Sequence, residues 1–260
     1  MAYKQLKYWF DKDLAELLAH KITTIVPNFN QKSFIESIDL KVPELELKDR
    51  VEVIADALYI ELGEDYQQGL LLLIEILGPE NEKETGMFSE FYWVMPIAKY
   101  VEKYGLDDFE ASMSAIEAIT KRNTGEYCIR PFIEKYPEKT LQQMKKWSKD
   151  ANKHVRRLSS EGVRPRLPWA KKMTIFIADP KPILPILNQL KDDPSKYVQK
   201  SVANCINDLF KDNYEIAKAL IEDWNKEPLS TERKWIIKHA LRNLLKAGDI
   251  WAKQIMETQK

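Results

Sequence analysis

The sequence predicts an all-α fold, and three observations carry that expectation. Glycine is scarce, at 8 of 260 residues. No Asn-Gly pair marks a hairpin turn. Helix formers dominate, and apolar residues recur at helical spacing along most of the chain. At 44% hydrophobic and 31% charged residues, the composition is that of a folded globular protein rather than a disordered one. A chain of 260 residues has ample material for a core. It is expected to form a single domain over 1–260.

Asp11 or Asp13 can cap a first helix carrying Leu14, Leu17, Leu18 and Ile22. Further periodic segments run over about 31–38, 47–62 and 66–77. The apolar run Leu70 to Leu77 is broken by Glu75 and is too short to span a bilayer, so it reads as a buried helix. Gly78-Pro79 stops that helix, and 80–86 reads as a polar loop. Helices follow at about 88–104, 108–121, 125–136 and 138–149. Pro96 should kink or split the first of them. Gly105, then Asp107 and Asp108, provide a stop and a restart. A short helix near 152–161 leads into Arg164-Pro165-Arg166-Leu167-Pro168, where residues preceding proline favour extended backbone. Around 196–211, Val198, Val202, Cys205, Ile206 and Leu209 form an apolar stripe. Ser201, Asn204 and Asp208 line a separate polar face of the same helix.

The second half contains a degenerate repeat. Lys153-His154-Val155-Arg156-Arg157 is similar to Lys196-Tyr197-Val198-Gln199-Lys200, and Asn207-Asp208-Leu209-Phe210-Lys211 to Arg242-Asn243-Leu244-Leu245-Lys246. Spacings of about 35–43 residues fall in the range of HEAT-like units, whose stacking gives a curved α-solenoid. A generic α-bundle of similar helix pairs would give much the same signal.

The zero net charge conceals an asymmetry. Residues 1–130 hold 14 Lys+Arg against 24 Asp+Glu, and residues 131–260 hold 26 against 16. The window 135–172 has 12 basic residues and only Glu138, Asp150 and Glu161 as acids. Such polarity predicts a basic face for a polyanion; a solvated basic surface is the bland alternative. Cys128 and Cys205 are far apart and lack metal spacing, which points to a reducing, cytoplasmic compartment and no metal site. The charged, aromatic N-terminus is not a signal peptide.

Several residues admit both a chemical and a structural role. Asp208 is a poor choice for a helix interior, so something other than propensity should favour it; an exposed pair with Lys211 is the simpler reading. Glu126 and Arg130 are four residues apart, either an ordinary helical pair or a carboxylate held at a bend before Pro131. Lys153, Arg157 and Glu161 share a helix face. Trp169 taken alone reads best as a core anchor. His154 is structural or a phosphate contact. No phosphate-binding glycine loop, nucleophile elbow or Cys/His pairing is present.

The segment Asn152 to Trp169, NKHVRRLSSEGVRPRLPW, resembles the signature of AlkC-type alkylpurine DNA glycosylases, in the HEAT-like repeat superfamily that also contains AlkD. Leu6 to Asp11, Gly86 to Tyr92 and Glu126 to Phe132 are similar to other parts of that family, so the resemblance runs through nearly the whole chain. It implies an α-solenoid that grips double-stranded DNA on a basic concave face. It implies hydrolysis of the N-glycosidic bond of cationic lesions, chiefly 3-methyladenine and 3-methylcytosine. Matching positions give Asp208, Glu126 and Glu161 as the acidic, catalytic set, with Arg157 and Trp169 gripping the nucleotide. The neighbouring DNA-contact candidates are Arg156, Lys153, His154, Arg164, Arg166 and Lys200. The expected enzyme is monofunctional, monomeric and free of cofactor and metal. Longer members append an immunoglobulin-like domain; this chain ends at Lys260 in helical sequence, which aligns it with the shorter branch. The rival is a non-catalytic HEAT-like module binding DNA or protein. That rival leaves unexplained why Glu126 and Asp208 accompany the arginine motif, since carboxylates facing DNA repel phosphate.

Overall fold

The computed structural model describes residues 4–86, 88–226 and 228–259. The start of the N-terminal stretch and Met87 of the 86–92 motif lie outside them. Among the described residues every regular element is helical. None of their helices is long and apolar enough to cross a membrane. The chain clusters into two compact units, Met1–Pro131 and Phe132–Lys260. The division falls where the net charge changes sign, so the acidic half and the basic half each build a unit.

In the first unit a 3-10 turn, Leu6–Trp9, precedes α1 (Lys12–Thr23), α2 (Gln31–Lys41), α3 (Leu47–Glu61) and α4 (Tyr66–Glu75). Asp11 caps α1, its Oδ1 accepting from Asp13 N at 3.1 Å. Asn30 and Asp65 cap α2 and α4 in the same way. Leu70 and Leu73 of α4 are buried while Leu71 is exposed, so the run is one face of an amphipathic helix rather than a fully buried one. Pro96 splits the next segment as expected, into α5 (Phe88–Phe91), a 3-10 turn and α6 (Met95–Tyr104). There it occupies the first turn of α6, where a missing N–H leaves no gap in the ladder. α7 (Phe109–Thr120) restarts on Asp108, which accepts from Ala111 N. Leu14, Leu18, Ile38, Ile54, Ile97 and Ile116 meet in the core, all fully buried.

The expected helix over 125–136 is shorter. α8 covers only Arg130–Lys135, and residues 126–129 form turns before it. Pro131 has no N–H to bond back to Tyr127, so the helix starts at proline instead of running through it. Glu126 therefore lies in the turns before α8 and Arg130 at its first residue.

The second unit contains α9 (Pro137–Trp147), α10 (Lys153–Glu161), α11 (Thr174–Ala178), α12 (Leu184–Leu190), α13 (Lys196–Asp212), α14 (Tyr214–Trp224), α15 (Thr231–Ala240), α16 (Arg242–Lys246) and α17 (Ile250–Glu257). α13 is its spine: α10 packs on one part of it, α15 on another, and α14 returns along it. The predicted stripe Val198, Val202, Cys205, Ile206 and Leu209 is completely buried. The repeat has a physical counterpart. Its first pair of similar segments opens α10 and α13, which pack on each other. The two segments of the second pair bond directly: Asn243 Nδ2 donates to Asn207 Oδ1 at 3.0 Å. Asn207 Nδ2 in turn donates to the Ala240 carbonyl at 2.8 Å, closing the end of α15.

Replacing buried Asn207 by Ala orphans that carbonyl. Asn207→Ala should lower the unfolding free energy by about 1–3 kcal/mol, read as a lower urea midpoint at unchanged slope. Asn243→Ala, at an exposed position, should cost less.

Candidate functional site

α10 opens on Asn152, whose Oδ1 accepts from His154 N at 2.8 Å, and closes at Gly162. The chain then turns repeatedly through 162–169. Val163 and Leu167 are buried, so this stretch is packed into the unit and is not the open linker that its prolines suggest. Its arginines point at α13 in register. Arg164 meets Asp208 and Arg166 meets Asp212. Two residues of the turning segment cover the axial distance of four residues on a helix, about 6 Å, so an Arg-x-Arg pattern matches an Asp-x-x-x-Asp pattern.

Arg164 holds two acids at once. Its Nε donates to Asp208 Oδ2 at 2.9 Å and its Nη1 to Glu161 Oε1 at 2.7 Å. All three residues are buried, with 7%, 2% and 5% of their surface exposed for Arg164, Asp208 and Glu161. Asp208 Oδ1 also accepts from Lys211 Nζ at 3.1 Å, so the simple pairing anticipated for Asp208 is present but is only half of its environment. Arg157 Nη2 lies 3.6 Å from Glu161 Oε1. Burial alone would raise the Glu161 carboxyl. The charges of Arg157 and Arg164, with hydrogen bonds from Ser201 and Arg164, outweigh it and hold Glu161 below its ordinary value. A carboxylate at the last turn of α10 also faces the negative end of the helix, which makes those two cations all the more necessary. Ser201 completes the arrangement by bonding the Ser160 hydroxyl at 2.7 Å.

The remaining basic residues divide in two. Arg156, expected at phosphate, instead forks onto Asp193 at 2.7 and 3.2 Å and donates to the Asp150 and Ala151 carbonyls. Asp193 also accepts from Ser195 N just before α13, so Arg156 ties the start of α10 to the start of α13. Arg164 and Arg166 are likewise committed to carboxylates of this chain, and buried His154 rests edge-on against Tyr197. Arg157 lies over the same Tyr197 ring, 4.7 Å from its centroid. Lys200 is exposed on α13, and Lys153 is half-buried. Trp169 is not a core anchor: it is 67% exposed, at a φ of +64°. A left-handed tryptophan is strained, and surroundings that hold it there fix an indole toward solvent. Glu126 belongs to the first unit. It is 8% exposed, and its Oε2 accepts from the Thr124 hydroxyl at 2.8 Å. Both cysteines are buried, and neither forms a disulfide.

The sequence patterns missed the Arg164 bridge, which would have required pairing 164 with 208 across 44 residues; the shared two- and four-residue strides were the available signal.

The family model for DNA alkylation repair enzymes matches residues 95–244, which include all of these groups. The chain belongs to that family. It is similar to the protein YhaZ of Bacillus subtilis (strain 168), with 39% identity over 245 residues. That match covers 94% of this chain and 66% of YhaZ, so the chain spans just under two thirds of that relative. It also matches the structure of the Pseudomonas fluorescens alkylpurine DNA glycosylase AlkC bound to DNA containing an abasic site analog. There the TM-score is 0.89 at 37% identity, over 98% of this chain and 69% of AlkC. The all-α fold is therefore that of this DNA repair family.

The bridge has a pH signature. Glu161 is held lower in the folded than in the unfolded chain, so it binds fewer protons when folded. Its contribution is present above about pH 4.5 and is lost as pH falls through the folded value. Urea midpoints measured from neutral to acid pH should drop more steeply for the wild type than for Glu161→Gln.

Proposed function

We propose that the protein is a monofunctional DNA glycosylase of base excision repair. It hydrolyses the N-glycosidic bond of cationic alkylated bases, 3-methyladenine and 3-methylcytosine, in double-stranded DNA. The observation that carries this reading is the buried Glu161–Arg164–Asp208 bridge in a chain of the DNA alkylation repair family.

A base methylated at such a position already bears positive charge and leaves as a neutral molecule, taking the electron pair of the C1′–N bond. Little acid assistance is needed. The barrier lies in positive charge developing on the sugar, and a fixed carboxylate lowers it. Water then adds to C1′ and loses a proton, which a carboxylate can accept. Asp208 and Glu126 are assigned to this work. Arg164 and Lys211 each take one hydrogen bond of Asp208 and leave further lone pairs on its oxygens. Glu161 acts through Arg157 and Arg164 and is a positioning residue. The exposed Trp169 indole can stack on the sugar or the cationic nucleotide. Arg157, Lys153 and Lys200 face phosphate, whereas Arg156, Arg164 and Arg166 support the site from within.

Incubation with methylated duplex DNA, followed by chromatography of the released bases, tests the reading. The wild type should release 3-methyladenine and 3-methylcytosine above the spontaneous rate. Asp208→Asn, which keeps a hydrogen bond to Arg164, and Glu126→Gln should each slow release by about 10²–10³-fold, measured at a temperature where each variant is folded. Absence of release by the wild type refutes the enzyme; wild-type rates in both variants refute the assigned carboxylates.

A further inference from the structure

A second constellation lies in the same unit, on α13, α15 and α16. A cavity of about 360 Å³ is lined by Trp235, Lys238, His239, Arg242 and Leu245. The imidazole of His239 stacks on the Trp235 indole, with centroids 4.8 Å apart and planes 12° from parallel. Lys196 Nζ lies 3.5 Å from the centroid of that indole. Lys200, one turn further along α13, is exposed. Arg242 donates to the His239 carbonyl at 2.7 Å and to Asn204 Oδ1 at 3.0 Å, so its guanidinium is aimed back at α13.

The cluster is electrically unbalanced. Arg156, Arg164, Arg166 and Arg233 of this unit each reach a carboxylate. Among the described residues no carboxylate oxygen lies within 4.0 Å of the side-chain nitrogens of Lys196, Lys200, Lys238, His239 or Arg242. Glu232 acts on Lys196 only at longer range. Cations from three helices, gathered around an aromatic floor without an acid, form a seat for an anion. Its position says which anion. Arg242 is held by Asn204, one helical turn before Asp208 on the same polar face, an axial distance of about 6 Å. Arg242 also lies in the field of both Arg164 and Asp208. An anion seated there is a near neighbour of whatever meets Asp208.

We propose that Lys196, Lys200, His239 and Arg242 seat a backbone phosphate of the DNA strand whose sugar is brought to Asp208, and that His239 takes up a proton as the phosphate binds. The assignment rests on the DNA reading above. In the free protein, burial and the charges of Arg242, Lys200 and Lys196 hold the imidazole below its ordinary value and so disfavour the imidazolium. The groups acting on it are Lys196 and Lys200 from α13 and Arg242 from α16, with Lys238 beside it on α15. A backbone phosphate brings a negative charge among these four cations, so the bound state favours the imidazolium more than the free state does. DNA affinity then rises as pH falls.

The test uses undamaged duplex DNA, titrated by fluorescence anisotropy over a range of salt and from about pH 5.5 to about pH 8, which brackets the ordinary histidine value. The double variant Lys196→Gln/Lys200→Gln, altered at two exposed positions, should bind more weakly and reduce the slope of log K against log salt by about 1. Wild-type affinity should fall with rising pH, by at most about tenfold per pH unit for one proton. His239→Gln should flatten that dependence. A double variant with wild-type affinity and slope overturns the phosphate seat, and wild-type pH dependence in His239→Gln overturns the proton uptake. Base release from methylated DNA, measured on the same wild-type preparation, separates the two readings. Release together with unaltered binding by the variants removes the seat and leaves the enzyme. Absent release together with weakened variant binding removes the enzyme and leaves the seat. A wild type that binds no duplex overturns both.

Discussion

Arg164 is the group on which the second unit's chemistry depends. Its guanidinium joins an acid at the end of α10 to an acid in the middle of α13, and all three side chains are withdrawn from water. Two buried carboxylates without that cation would be untenable, since each carries a desolvation cost of several kcal/mol. Lysine could supply the charge but not the fork, which directs one nitrogen at each acid. The turn-rich stretch after α10 brings this residue back: α10 ends at Gly162, and buried Val163 and Leu167 hold the chain against the unit on either side of Arg164. Arg156 with Asp193 and Arg166 with Asp212 repeat the device at both ends, so one basic segment is fastened at three points, just before α13, within it and at its last residue.

This changes what an arginine-rich motif means here. Its density reads as an invitation to phosphate, yet most of its guanidiniums face inward and build a platform. What the platform presents outward is smaller: the Trp169 indole held in left-handed backbone and the exposed lysines of α13. A site for a cationic nucleotide on a polyanionic strand needs both signs of charge close together. In the proposed reading carboxylates serve the sugar and the exposed cations serve the phosphates.

Much of the fold was legible because it follows local rules. Asp11 and Asp108 cap helices where their spacing predicted, Pro96 splits a helix, and the stripe on α13 is buried as its periodicity required. The helix expected over 125–136 failed at Pro131, where a local rule was given too little weight. The site was less legible. Asp208 was identifiable as an acid in an unfavourable place, but its partner lies 44 residues away, and no periodicity links the two. Taken alone, Trp169 reads as a core anchor, yet it is exposed in a left-handed backbone conformation that sequence does not display. The cluster around Trp235 and His239 went unnoticed because its members come from three helices and share no motif.

The most direct test of the central claim is a double-mutant cycle on single-turnover release of 3-methyladenine, using Arg164→Lys, Asp208→Asn and the pair together. If Arg164 serves catalysis by holding Asp208, Arg164→Lys slows release in the wild-type background and has little further effect once Asp208 is Asn. Full additivity of the two losses would contradict the account, because it would mean that Arg164 and Asp208 act independently.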